Sequence, residues 1–230
     1  MRICRLRLLN FRSVAAGEVI FPGHTVIIGG NSVGKSTVCE ALDLLLGPDR
    51  LSRASPIDEH DFFERRYLDD DGTPVKIELE AVLGGLTADV LTKFRIHREY
   101  WNTTTETLLD ETATPEDVEA DDVVPVLRIK FEGSYDIEED EFRAETYFAS
   151  PPQDDETRRT KVTRPAKRQF GFIYLRALRT GSRALSLERG SLLDIILNLK
   201  DDDRSAMWEQ TLSAMESLDP AIDAIPQLRA

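Results

Sequence analysis

Hydrophobic and polar residues alternate through the first nine positions. Ile3, Leu6 and Leu8 are interleaved with Arg2, Arg5 and Arg7, with Cys4 between, and this period of two predicts a strand. Asn10-Phe11-Arg12-Ser13 reads as a turn and Gly17-Glu18-Val19-Ile20-Phe21 as a returning strand, closed by the turn signal Pro22-Gly23. Thr25-Val26-Ile27-Ile28 is short, β-branched and uninterrupted, which predicts a buried parallel strand. The period then changes. Val38, Ala41, Leu42, Leu45 and Leu46 recur at helical spacing, and Gly47-Pro48 ends a helix expected over 36–46.

Residues 49–73 are mixed and polar, with a short helix expected near Asp58 and a turn at Asp69-Asp70-Asp71-Gly72. Positions 75–82 alternate as a half-exposed strand; 86–94 reads as a helix, followed by extended 96–101. The acidic stretch 110–122 predicts a loop. Residues 126–131 and 142–148 predict a hairpin turning near 137–140, and 170–175 a further buried strand. Helices are expected at 191–199 and 205–218, and no internal repeat is visible. The sum is an α/β chain: strand, glycine-rich loop and helix set among several antiparallel strands. We expect an N-terminal lobe over 1–200 and the start of a helical arm or dimerisation element over 201–230.

Composition narrows this. The chain has 230 residues, 41% hydrophobic and 31% charged, enough to bury a core as a soluble globular protein. No apolar run approaches the roughly 18 residues of a membrane span. The N-terminus alternates, as a strand does, and lacks the apolar core of a signal peptide. Cys4 and Cys39 form no metal pattern and read as free thiols of a reducing, cytoplasmic setting. A net charge of −13 argues against nucleic acid until its distribution is seen. Residues 106–157 hold 18 acids and 3 bases, whereas 158–189 hold 10 bases and 1 acid. Two readings stay open: the basic segment contacts phosphates, or the two segments neutralise one another.

The candidate chemistry lies at Gly29-Gly30-Asn31-Ser32-Val33-Gly34-Lys35-Ser36, a full G-x-x-x-x-G-K-[ST] match between an expected strand and an expected helix. Glycines let main-chain N–H groups turn inward around phosphate oxygens, and a helix N-terminus adds its dipole. Lys35 suits the β- and γ-phosphates, the Ser36 hydroxyl suits Mg²⁺, and Thr37 suits the α-phosphate. ATP is favoured over GTP because no guanine-reading Asn-Lys-x-Asp is present. Asp58-Glu59-His60-Asp61 could pass for a metal cluster, but adjacent residues seldom converge on one ion, so a capped loop is expected. Asp201-Asp202-Asp203 and Ser191 read as helix starts.

The stretch from Asn10 to Leu46 resembles the head domains of the RecF and SMC group of ABC-type ATPases: a first strand ending in Asn10-Phe11-Arg12, a second strand, then the phosphate loop. The resemblance implies that Arg12 lies close to bound nucleotide. Within that group, Leu44–Leu51, Asp58–Phe63 and Leu175–Arg179 leading to Leu187–Leu193 are similar to the OLD family of ATP-dependent endonucleases. It implies a P-loop NTPase fold, an ABC/SMC-like head lobe with an antiparallel β flank and C-terminal helices. It also implies ATP with Mg²⁺, a homodimer, DNA as the parent protein's substrate, and a downstream Toprim nuclease, with roles in phage defence. Parts of that pattern are missing from the sequence: an apolar strand ending in Asp-Glu, a Leu-Ser-Gly-Gly signature, a downstream switch histidine and a Toprim carboxylate block, and the place of a Q-loop after Tyr174 offers Arg176 and Arg179 instead of glutamine. The expectation is a fragment that neither hydrolyses ATP nor cuts DNA alone. A RecF- or SMC-like repair ATPase without nuclease, or a non-catalytic docking module, are the competing readings.

Overall fold

The computed structural model describes residues 1–31, 33–48, 56–110, 115–118, 120–153 and 158–174. All of them lie in the unit Met1–Tyr174, and the expected helices after residue 190 lie outside. In chain order the elements are β1 (Arg2–Phe11), β2 (Val14–Ile20), α1 (Lys35–Leu46), β3 (Ile77–Gly84), α2 (Ala88–Lys93), β4 (Arg98–Asn102), β5 (Thr107–Leu108), α3 (Pro115–Val118), β6 (Val123–Asp136), β7 (Glu141–Phe148) and α4 (Arg164–Phe170).

The strands form one seven-stranded sheet in the order β2-β1-β3-β6-β4-β5, with β7 also on β6, and every pairing is antiparallel. The 14-residue β6 organises it. One edge of β6 pairs β3, and the other is shared by β4 near its start and β7 beyond Ile129. The expected antiparallel flank is therefore present, with the β6–β7 hairpin turning at 137–140.

Alternation decides which face is buried. Leu6 and Leu8 of β1, Ile77, Leu79, Ala81 and Leu83 of β3, and Ile129 and Phe131 of β6 share one core with α1. Cys4, Val82, Trp101 and Val126 make a smaller cluster of their own. That cluster lies beside a charged lattice: Arg5 meets Glu80 at 2.8 Å, Arg128 meets Glu99 at 2.8 Å, and Arg5 lies over the Trp101 ring. Helix α1 is buried more widely than its apolar stripe predicts, because Leu44 is fully buried as well as Leu45 and Leu46. Leu44 joins the same core, and its carbonyl accepts from Lys167 of α4 at 3.0 Å.

Two expected strands are corrected. Residues 25–28 form no strand among the described residues, and Val26 and Ile28 are 81% and 89% exposed rather than buried. Strand propensity is realised only when a neighbour supplies the ladder, and no described strand pairs with this run. Residues 170–174, the described part of the other expected strand, form none either. Phe170 ends α4, which starts with a proline in its first turn and stops at Gly171 in the left-handed conformation (φ 69°). The helix takes Phe170 and the left-handed cap takes Gly171, so the run is broken at its first two positions. The acidic loop also contains the short helix α3.

Candidate functional site

Helix α1 begins at Lys35 and is capped by Gly34 with φ 88° and no side-chain acceptor. The first-turn N–H groups are thus left uncovered by the cap, and no acid in the first turn opposes the positive end of the dipole. Gly34 is needed there: a Cβ would enter a left-handed conformation and come within 3.3 Å of Ser13 Oγ. At Gly29 a Cβ would meet Val33 Cγ2 at 2.9 Å. The loop is therefore a close cradle of main chain that side chains would fill.

Lys35 curls back over this loop. Its ammonium donates to the Gly29 carbonyl at 2.9 Å and to the Gly30 carbonyl. A mobile ammonium held on main-chain carbonyls can exchange them for phosphate oxygens, which are stronger acceptors. Ser36 is exposed, with its hydroxyl on the first turn, where a magnesium ion bridging phosphates would need an oxygen. Asn31 and Val33 are exposed on the loop, and Ser32 lies outside the described residues. Thr37 is buried, and its hydroxyl shares a hydrogen bond with Ser13 at 2.9 Å. That bond ties the β1–β2 turn to the helix start. The donors present, main-chain N–H groups, one ammonium and small hydroxyls, fit a nucleoside triphosphate with its magnesium.

Arg12 lies in the same turn with φ 51°, a left-handed conformation unusual for a residue with a Cβ. Its Nε donates to Asp61 Oδ1 at 2.8 Å, its main-chain N–H donates to the Asp61 carbonyl at 2.8 Å, and its Nη2 is 3.8 Å from Glu40 of α1. Asp58 and Asp61 form a reciprocal capping box around the 3-10 turn Glu59–Asp61. The expected capped loop is what the segment is: Asp58 and Asp61 accept from main-chain N–H groups and Arg12, and Glu59 lies against His60. Among the described residues no group of three or more His, Cys, Asp or Glu is placed to hold a metal. A cleft of about 700 Å³ opens here, lined by Arg12, Ser13, Ile57, Asp58, His60 and Asp61 among others.

Asp61, Ser13 and Glu40 were not readable as site residues. Arg12 and Asp61 are 49 positions apart, and nothing local announces their pairing. The basic segment goes partly the other way from a nucleic-acid surface. Arg159 pairs with Glu132 and Glu145, Lys161 with Glu145, and Lys167 is 1% exposed. Arg176, Arg179, Arg183 and Arg189 lie outside the described residues.

Residues 1–178 match the AAA ATPase domain family, and the chain belongs to it. It is a P-loop ATPase with a mixed α/β fold around an antiparallel sheet. Uncharacterized proteins of Mycobacterium tuberculosis and Mycobacterium bovis are each 50% identical to it over 48 residues, which is 20% of this chain. The chain spans about 6% of the length of these curated relatives. A solved structure described under "Structural biochemistry of ATP-driven dimerization and DNA stimulated activation of SMC ATPases" is 16% identical, over 84% of this chain and 90% of its own, with a TM-score of 0.39. Among the described residues no helix is long and apolar enough to cross a membrane.

Proposed function

We propose that this chain is the ATP-binding part of an OLD-type, ATP-dependent DNA-processing protein. ATP with Mg²⁺ occupies the loop Gly29–Ser36, and binding regulates DNA cleavage by a Toprim nuclease of the parent protein, which works as a homodimer. The observation that carries the nucleotide reading is the start of α1. A left-handed glycine cap without a side-chain acceptor leaves N–H groups for phosphate, and Lys35 is already bent back onto the loop at the Gly29 and Gly30 carbonyls. The DNA-processing part of the reading is supported by the sequence stretches 44–51 and 58–63 that are similar to OLD proteins.

Within the site, Gly29, Asn31, Ser32, Val33 and Gly34 offer main chain to the β-phosphate. Lys35 neutralises the β- and γ-phosphates, Ser36 holds the magnesium ion, Thr37 faces the α-phosphate, and Arg12 closes the nucleotide from the β1–β2 turn. The bound nucleotide supplies the energy that changes the protein's state.

Calorimetric titration with a slowly hydrolysed ATP analogue and Mg²⁺ tests this. Lys35→Ala should weaken binding by at least about tenfold, the equivalent of one charge-assisted hydrogen bond. Equal binding by both proteins would remove the loop from the nucleotide site.

A further inference from the structure

The segment Asp58–Phe62 lies apart in sequence from the phosphate loop, yet it is built against Arg12, whose turn is tied to the start of α1. We propose that Asp61 is a positioning residue for the nucleotide: it holds Arg12 in the orientation from which Arg12 contacts bound ATP. This rests on the nucleotide reading above and assigns a function to the 58–62 segment within it.

Three observations converge on Asp61. First, its side chain is 6% exposed and both carboxylate oxygens are engaged: Oδ1 accepts from Arg12 Nε at 2.8 Å, and Oδ2 accepts from the Asp58 N–H at 3.3 Å. The second bond is half of a capping box, so the carboxylate is fixed by its own segment before it meets the arginine. Second, the main chains are stitched beside it. The Arg12 N–H donates to the Asp61 carbonyl at 2.8 Å, and Phe11 bridges to Phe62 as an isolated antiparallel pair. Third, the arginine turn is strained. Asn10 and Arg12 both have positive φ, at 53° and 51°, on either side of fully buried Phe11. Left-handed non-glycine residues persist where surrounding contacts over-determine them, and they cluster at ligand sites.

The geometry leaves Arg12 usable. Asp61 takes Nε and Glu40 lies 3.8 Å from Nη2, while the side chain remains 32% exposed on the wall of the cleft. The Ser13–Thr37 hydrogen bond sets that wall beside the first turn of α1. An arginine fixed through Nε presents its remaining N–H groups in a rigid plane, which lowers the ordering cost of gripping a ligand. A purely structural ion pair would stabilise the fold and be indifferent to nucleotide.

The test is a double-mutant cycle on the whole chain, read by calorimetry with the same ATP analogue and Mg²⁺, with thermal unfolding of each variant alongside. Arg12→Ala and Asp61→Asn should each weaken binding about tenfold, and the double variant should bind no worse than Arg12→Ala alone. Asp61→Glu keeps the charge but displaces the guanidinium. It should fold and still lose affinity, and it carries the test if Asp61→Asn does not fold. Losses that add in the double variant, or parent-like binding by Asp61→Asn or Asp61→Glu, would overturn the positioning function. If Lys35→Ala abolishes binding while the Asp61 variants bind normally, this inference alone fails. If Lys35→Ala binds like the parent, the nucleotide reading fails and this inference with it.

Discussion

Lys167 is almost wholly enclosed, with its ammonium 3.0 Å from the Leu44 carbonyl and 3.1 Å from the Thr146 hydroxyl. Burial lowers its pKa to about 7 from the ordinary lysine value of 10.5, and the charge of Asp43 only partly opposes this. Below pH 7 folded and unfolded chains both carry the proton, and the fold bears the full cost of a buried charge. Above it the folded chain releases the proton while the unfolded chain keeps it, so this group's contribution to stability rises with pH until the unfolded lysine also titrates. Lys167→Met should therefore be most favourable relative to the parent below pH 7, and that advantage should shrink by about 2–5 kcal/mol towards pH 10. Thermal unfolding of both proteins across that range measures it, and a constant difference would show that Lys167 does not titrate there. Gly34→Ala is a second residue-scale prediction. It should cost roughly 1–2 kcal/mol through the left-handed cap alone and weaken ATP-analogue binding as well, both readable from unfolding and calorimetry. Of the site, the phosphate loop was legible because its function is encoded in eight consecutive residues. Asp61 was not, because its meaning depends on Arg12 being brought across from β1, and nothing in the sequence singles out Glu40.

At the scale of elements, alternation marked the β1, β3, β6 and β7 regions, since one face of each meets the α1 core. The two failures have different causes. Pro165 and Gly171 bracket α4 and were visible in the sequence, but the apolar run 170–175 drew the reading past them. The run 25–28 has every local mark of a strand, and only the absence of a described partner separates it from one. Its exposure makes a prediction. Val26→Lys and Ile28→Lys should each change stability by less than about 0.5 kcal/mol, whereas Phe131→Ala in β6 should cost about 3–5 kcal/mol. Denaturant unfolding distinguishes these. A large loss at Val26 or Ile28 would mean that the run is covered in solution.

For the whole molecule, charge matters through its placement. The chain carries −13, yet on the sheet carboxylates and bases are interleaved: Lys76 and Arg159 both approach Glu132, and Lys130 and Arg128 both approach Glu80. The more exposed of these pairs contribute little stability each, and all of them cancel local field. What remains at long range is the net negative charge, which repels an incoming polyphosphate until the loop is reached. The association rate of a fluorescent ATP analogue should therefore rise as salt is increased from about 10 to 150 mM, where the screening length falls from roughly 30 to 8 Å. Stopped-flow mixing tests this, and a falling rate would show that the local positive field of α1 and Lys35 governs the approach. Fold class was legible at this scale because a full phosphate-loop motif leading into a helix, set among alternating antiparallel strands, admits few architectures. The seven-strand order was not, since β6 pairs with three strands at once and no local pattern states that.

The seam between the β1–β2 turn and residues 58–62 also bears on chemical selectivity. Compounds that imitate phosphates read only the glycine-rich loop, which unrelated P-loop proteins share. An inhibitor extended past Thr37 and Ser13 would meet Arg12, Asp58, His60 and Asp61 on one wall, joined from distant parts of the chain. Discrimination between this protein and other nucleotide binders therefore belongs to that wall, where medicinal chemistry would find shape and charge that the phosphate loop cannot provide.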